Sequence, residues 1–436
     1  MIDPASDPIP APSDALATPS LRHNSAFVRV WSAATISVFG SFVTRIALPF
    51  VAILTLDAGP LEVALLRAVE LVAALLVGFV AGAWVDRLRR RPVLIWADLV
   101  RAALLGSIPL AAAGGWLTLP QVYLVAIVAA VCTTFFDLAD RAYLPTIVPR
   151  SELLRANGAL SATSAAVEFA GFGAAGVLVA VLTAPIAILI DAITFVVSAV
   201  ILGTIRVPEG PPPPKTDREP VLTEIAAGLR VVVADPILRG LTAGTMGLSA
   251  MWGVFGASWL LYATDDLGLE PAVIGVVAAL GGFGSLLGAL VAGRIAGRLG
   301  VGRAVMGSLV LAAVATMLIP LAPAGAPLIA VAFLLAQQLI GDSAITVFDV
   351  TEVSVRQARV PGHQLGRVNG TIHTAAVVAQ LAGTLLGGVV AAVFGLRVAL
   401  VLGPIGVVLG LIGVWVSPVR RQWSVEPVAT PGASAG

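Results

Sequence analysis

Long apolar runs, each closed by a short polar break, recur along the whole chain. Inside each run the apolar residues are continuous rather than alternating, which predicts helices and excludes the strands of a barrel. Runs at 27–56, 61–84, 93–113, 121–138, 157–182, 184–205, 237–263, 271–293, 303–322, 327–350, 368–394 and 396–416 are each long enough to cross a bilayer. The pattern therefore predicts twelve membrane helices. The breaks "DAGP", "AAGG", "LTAP", "APAGAP" and "FGLR" carry turn residues. The longest polar segment, "RVPEGPPPPKTDREP", follows the sixth run, and its four consecutive prolines make a stiff, solvated linker. After it, Leu222, Ile225, Leu229 and Val233 share one helical face, the pattern of a short helix lying on the membrane surface. The expected fold is all-α: two six-helix bundles, 26–206 and 237–417, joined by a linker over 207–236. The flanks, 1–25 and 418–436, read as polar tails; the first has no basic n-region of a signal peptide and is expected to be disordered.

Composition changes the environment of this fold. Hydrophobic residues make up 58% of the 436 and charged residues 12%, too little polar surface to cover a water-soluble globule, so lipid must solvate much of the chain. With the N-terminus in the cytosol, 22 of the 26 basic residues fall in cytosolic tails and loops or at the cytosolic ends of spans, three (Arg45, Arg67 and Arg101) lie deeper within spans and only Arg397 is outside. The outer loops carry Asp57, Glu62, Asp265, Asp266 and Glu270 instead. The positive-inside rule then places both termini in the cytosol, and a bacterial plasma (inner) membrane is expected. Cys132 is the only cysteine and sits in an apolar run, which excludes an internal disulfide and reads as packing. His23, His363 and His373 have no metal-ligand spacing, no nucleophile constellation exists, and "GFGAAG" lacks a βαβ context. No enzyme, cofactor or nucleic-acid partner is expected, and a monomer is.

A repeat organises the spans. "VPRSELLRANG" from Val148 and "VPGHQLGRVNG" from Val360 match at an offset of 212, pairing Arg155 with Arg367, Asn157 with Asn369 and Gly158 with Gly370. The offset carries on to pair Gly171 with Gly383 and Gly176 with Gly388. Two duplicated halves facing one another are a transporter architecture with the site between them. A basic loop recurs too: "GAWVDRLRRRP" after the second span and "GRIAGRLGVGR" after the eighth place Gly293 and Arg298 where Gly82 and Arg87 stand. Gly297 occupies the place of Asp86, so only the first copy keeps its full charge set.

Twelve spans, a half repeat and Gly82, Asp86, Arg87, Arg90 and Arg91 between spans two and three resemble the major facilitator superfamily over roughly 27–416. Arg89 stands where that family usually has glycine. "VTRIALPF" and the two "VP…R.NG" loops look like the drug and siderophore exporters of the transmembrane secretion effector type. That resemblance implies an alternating-access efflux transporter of hydrophobic or amphipathic small molecules, driven by proton antiport. In "AGFGAAG", Phe172 replaces the proline typical of antiporters. An importer or uniporter on the same fold is the alternative, because the physics is symmetric; a sensor or scaffold would not need duplicated gate loops.

Each candidate residue carries two readings. The arginines at 87, 90 and 91 either fix topology against anionic lipid or belong to an inner gate in which the resemblance makes Asp86 a latch. Asp137, Asp140 and Arg141, placed after span four, would join that latch. Arg155, Asn157, Arg367 and Asn369 either cap helix starts or share in the cytosolic closure. Arg45, Glu70 and Glu168 fall at similar depths, Arg45 and Glu70 lying roughly 15 Å below the outer surface at ~1.5 Å per residue, with Arg67 three residues from Glu70 on the same helical face. They are either a structural ion cluster or a proton-coupling site in which Glu168 titrates, with Asp191 and Asp342 as further candidates. Trp252, Phe255, Trp259 and Tyr262 form a stripe in span seven, either packing or a flat surface for an amphipathic or cationic substrate.

Overall fold

The computed structural model describes residues 21–85, 88–149, 152–207, 209 and 221–422. Among them there is no strand. The first half contains α1 (Ser25–Phe50, continued by a π turn at Val51–Thr55), α2 (Pro60–Val85), α3 (Arg90–Ala113), α4 (Leu119–Ile147), α5 (Leu153–Leu182) and α6 (Ala184–Gly203). A short helix, α7 (Val221–Ala234), precedes the second half: α8 (Pro236–Leu261, with a π turn at Tyr262–Asp266), α9 (Pro271–Leu299), α10 (Val301–Leu321), α11 (Pro327–Arg359), α12 (Gly362–Phe394) and α13 (Leu396–Val416). Among the described residues, eleven helices are long and apolar enough to cross a membrane. The twelfth long helix, α2, carries Glu62, Arg67 and Glu70 in its first eleven residues, and the side chains of 79–85 lie outside the described ones. The predicted tails 1–25 and 418–436 are described only at their inner edges, as 3-10 turns at Leu21–His23 and Pro418–Arg421.

Helix boundaries follow local chemistry. Proline opens α4, α6, α8, α9 and α11, where its missing N–H would have no partner anyway. Asn24 caps α1 by accepting from the N–H groups of Ala26 and Phe27, and Asp235 caps α8 in the same way through Ile237 and Leu238. Several helices run past the apolar stretch that predicts them. Asp137, Asp140 and Arg141 lie on α4 rather than in a loop, because leaving hydrocarbon does not end a helix; α4 stops only at Val148, whose backbone is extended beside Pro149.

Within the first half α1 packs on α5 and α6, and α3 on α4 and α6; within the second, α8 packs on α12 and α13, and α11 on α9 and α10. The halves meet through α5 with α9 and α2 with α12. Backbone lies against backbone there, since a Cβ at Gly176 would collide with Pro271 and Gly275, and one at Gly388 would collide with Ala64. These contacts sit at the end remote from both termini.

The turn before the last helix of each half shows the duplication in its backbone. Thr183 (φ 82°, ψ 155°) and Gly395 (φ 92°, ψ 159°) occupy matching positions in a region open essentially to glycine. Thr183 is strained where its counterpart is not. Thr183→Gly is expected to stabilise the protein by about 1 kcal/mol, the relieved strain exceeding glycine's entropy cost. A thermal midpoint in detergent that fails to rise, or Gly395→Thr leaving it unchanged, would contradict this account.

Candidate transport pathway

The interior charges sort into two classes by what surrounds them. On α5, Phe169, Gly173 and Gly176 face α9, and Gly171 faces α1. Two gaps remain between these faces at helical spacing. Val177 and Val181 fill one and are exposed outward. Glu168 falls in the other, toward the space between the halves, and is exposed there. Arg45 of α1 is also open to that space, stands 5.7 Å over the Phe42 ring and lies within electrostatic reach of Arg67, Glu70 and Glu168. Arg67 pairs with Glu70 at 2.8 Å, and its stem touches Gly256 of α8 in the other half. Four of the predicted residues are thus brought together on the first-half wall.

Asp191 and Asp342 are different. Asp191 is fully buried between α1 and α6, fitted against Gly40, with Oδ1 accepting from the Thr194 hydroxyl at 3.0 Å. Asp342 is buried between α11 and α9, fitted against Gly281. Its neighbour Gln338 donates to the Val277 carbonyl at 3.2 Å, and Phe169 packs on Gly282. The Gly281–Gly282 pair therefore separates Asp342 from the Glu168 region by one helix thickness, within electrostatic reach. Each of the two aspartates keeps one oxygen without a hydrogen-bond partner.

The aromatic stripe on α8 divides. Trp252 lies one turn from Gly256 on the face that meets α2, and it is exposed. Trp259 is half-buried against the hydrophobic core. Phe255 is buried against Gly403 of α13, and Tyr262 is buried with its hydroxyl donating to the Ala322 carbonyl at 3.2 Å. Phe255 and Tyr262 thus pack inside the second half rather than line the space between halves. The spacing i, i+3, i+7, i+10 spans about 80° of the helix, wide enough to split one stripe between two environments.

At the end bearing the termini, the described side-chain contacts of Arg91, Arg155 and Asn157 lie within the first half. Asp86 and Arg87 lie outside the described residues, and Gly82 is in the last turn of α2. The main-chain N–H groups of Arg90 and Arg91 donate to Glu209 at 2.6 and 2.9 Å, while the Arg91 guanidinium donates to the Leu202 and Gly203 carbonyls. Asp140 is half-buried and Arg141 exposed on α4. Arg155 pairs with Glu152 at 3.0 Å and Asn157 donates to Leu153. Arg298, Arg367 and Asn369 are exposed. Every ion pair among the described residues lies within a half.

Sequence reasoning passed over three features. Glu209 was hidden in the linker. Asp98 and Arg101, three apart on α3, form the most deeply buried pair, with the guanidinium 4.7 Å from the Phe136 ring and 4.1 Å from the Phe195 ring. Asp349 and Glu352 stand at the 212 offset from Asp137 and Asp140, so the acidic pair on the fourth helix is itself duplicated.

The chain matches the model of the transmembrane secretion effector family over residues 17–430. It belongs to that family. It is accordingly a multi-span transporter of the major facilitator superfamily and not an enzyme. It is 26% identical over 405 residues to the major-facilitator-type transporter YfiS of Bacillus subtilis (strain 168), covering 90% of this chain and 94% of that one. It is 28% identical over 397 residues to the multidrug efflux pump Tap of Mycolicibacterium fortuitum, covering 88% and 93%. A crystal structure of the nucleoside transporter NupG superposes with a TM-score of 0.71 at 13% identity, over 90% of this chain and 99% of that one. That likeness is one of fold.

The buried pair sets a stability prediction. Asp98→Asn leaves Arg101 uncompensated and is expected to cost about 3–5 kcal/mol, whereas replacing both by apolar residues costs less. The thermal midpoint of Asp98→Asn should therefore lie below that of the double Asp98→Leu, Arg101→Met variant; the reverse order would sink the pairing argument.

Proposed function

We propose that the protein exports a hydrophobic or amphipathic small molecule across the bacterial plasma membrane by alternating access, in exchange for protons. Both termini and the linker lie in the cytosol in this reading, as the distribution of basic residues requires. The halves touch through α5 with α9 and α2 with α12 at the remote end, a contact that supports reading the conformation as one open toward the cytosol. A working unit of one chain is sufficient, since each half supplies what the other lacks.

One observation carries the coupling: Glu168 is exposed to the space between halves, beside Arg45, at the level where α5 meets α9. Arg67 is already taken by Glu70, which leaves Glu168 to exchange a proton as access alternates. Asp342 stands behind α9 as an acid of the facing half within electrostatic reach of Glu168. Trp252 offers the flat face for substrate, and the likeness to an efflux pump supports the outward direction.

In proteoliposomes with an imposed pH gradient, screened over dyes, antibiotics and siderophores, a transported compound is expected to release protons. Glu168→Gln should abolish that release while leaving the compound bound; intact release would exclude Glu168 as the carrier. Trp252→Ala is expected to raise the half-saturating concentration of aromatic substrates about tenfold, the order of a lost stacking or cation–π contact. Unchanged export of every accepted substrate would remove Trp252 from the site.

A further inference from the structure

The short helix α7 has three faces. Gly228 lies against the Arg367 carbonyl and the Thr371 side chain of α12, and Val232 is buried with Val360, Val368 and Ile372. That face fixes α7 to the second half. About 100–140° around the helix, Leu229 and Val233 are each 50% exposed. Beyond them Arg230 is exposed. Arg239, at the start of α8, is exposed as well and donates to the Val233 carbonyl at the end of α7.

An apolar strip beside a docked face, bordered by cations, has the form of a helix lying where protein, hydrocarbon and headgroups meet. The same level is marked independently. Trp415 is exposed at the end of α13, and Arg420 stands 5.3 Å over its ring, an aromatic and a cation in the arrangement of a membrane–water interface. At this end Asp235 pairs with Arg359 and Glu352 with Arg356, while Asp349 is exposed on α11. Arg230, Arg239, Arg420 and Arg421 form no ion pair with an acid among the described residues.

We propose that α7 and the start of α8 form a binding surface for anionic phospholipid, in which Leu229 and Val233 enter the acyl region and Arg230 and Arg239 hold the headgroup phosphate. The occupant is the leaflet at the terminal end rather than a soluble anion, because half of the surface is apolar. Its engagement reaches the transport cycle through α12. That one helix is docked to α7 near its start, and at Gly388 it makes the contact with Ala64 that joins the halves at the remote end. Lipid bound at α7 therefore acts on a helix whose far end must separate from α2 when the protein reopens.

The test titrates the purified full-length protein in neutral detergent with short-chain phosphatidylglycerol, short-chain phosphatidylcholine or inorganic phosphate, reading the thermal midpoint as a measure of binding to the folded state. Phosphatidylglycerol is expected to raise the midpoint at far lower concentration than phosphatidylcholine, and phosphate alone to have little effect. Each arginine removed should weaken the phosphatidylglycerol response about fivefold, the order for one cation at an anionic surface. The Arg230→Gln, Arg239→Gln variant should therefore lose it, while Arg230→Lys, Arg239→Lys retains most of it even if the glutamine variant folds poorly. Leu229→Gln should weaken both lipids and leave phosphate unchanged. Equal responses to the two lipids, full potency in the glutamine variant, or a response to phosphate matching that to phosphatidylglycerol would each overturn the proposal. Because the readout is binding, its failure leaves the export reading untouched, and failure of proton exchange leaves this one untouched.

Discussion

Hydrocarbon solvates no bare charge, and the arrangement of ionisable side chains in this protein follows from that constraint. A side chain that carries a charge within the spans is either paired and packed inside a half or directed into the space between halves; Asp191 and Asp342, buried without a cation among the described ion pairs, belong to neither group. Asp98 and Arg101 take the first way, with the guanidinium between two phenylalanine rings and a carboxylate beside it. Arg45, Arg67, Glu70 and Glu168 take the second, and only the second leaves a group accessible to a ligand or a proton that comes and goes. The separation of structure from function is thus a separation of environments, not of residue types.

The same constraint explains why the halves meet through glycine. A movable contact in a bilayer gains nothing from burying apolar surface, since lipid is equally apolar; it gains from close packing alone. Gly176 against Gly275 supplies that at the remote end, backbone on backbone. Such a seam can separate without stranding a polar group. Between it and the terminal end lies the Glu168 region, so in the proposed cycle these charges sit just below the part of the boundary that separates.

Much of this was legible in the sequence, and the parts that were not share a physical reason. Continuous apolar runs and the 212-residue repeat carry the fold, because helix length and duplication are one-dimensional properties. The cluster of Arg45, Arg67, Glu70 and Glu168 was legible because depth can be counted along a helix. Which way a side chain turns cannot be counted so simply. The α8 stripe divided between two environments, and Asp342 lies behind α9 instead of beside Glu168, because azimuth depends on which neighbours each helix finds. Asp98 and Arg101 were visible as letters but not as a pair, since an i,i+3 spacing is equally compatible with two separate fates.

The repeat preserves ties more faithfully than it preserves their chemistry. The cap of the first helix in each half is bound to the end of the fourth: Asn24 donates to the Ile147 carbonyl, and Arg359 donates to Asp235. The segment after the sixth helix returns in each half to the start of the third: Glu209 accepts from Arg90, and the Gln422 carbonyl accepts from Gly302. Arg90 and Gly302 are 212 residues apart, yet one tie is a carboxylate on a helix start and the other is main chain. A side-chain tie can be lost by one substitution or by a shift of one rotamer, whereas a main-chain tie persists as long as the fold does. The charged copies fall in different halves for the two ties, ionic at Asp235 in the second and at Glu209 in the first. Two duplicated bundles with the same skeleton therefore differ in where they can be loosened.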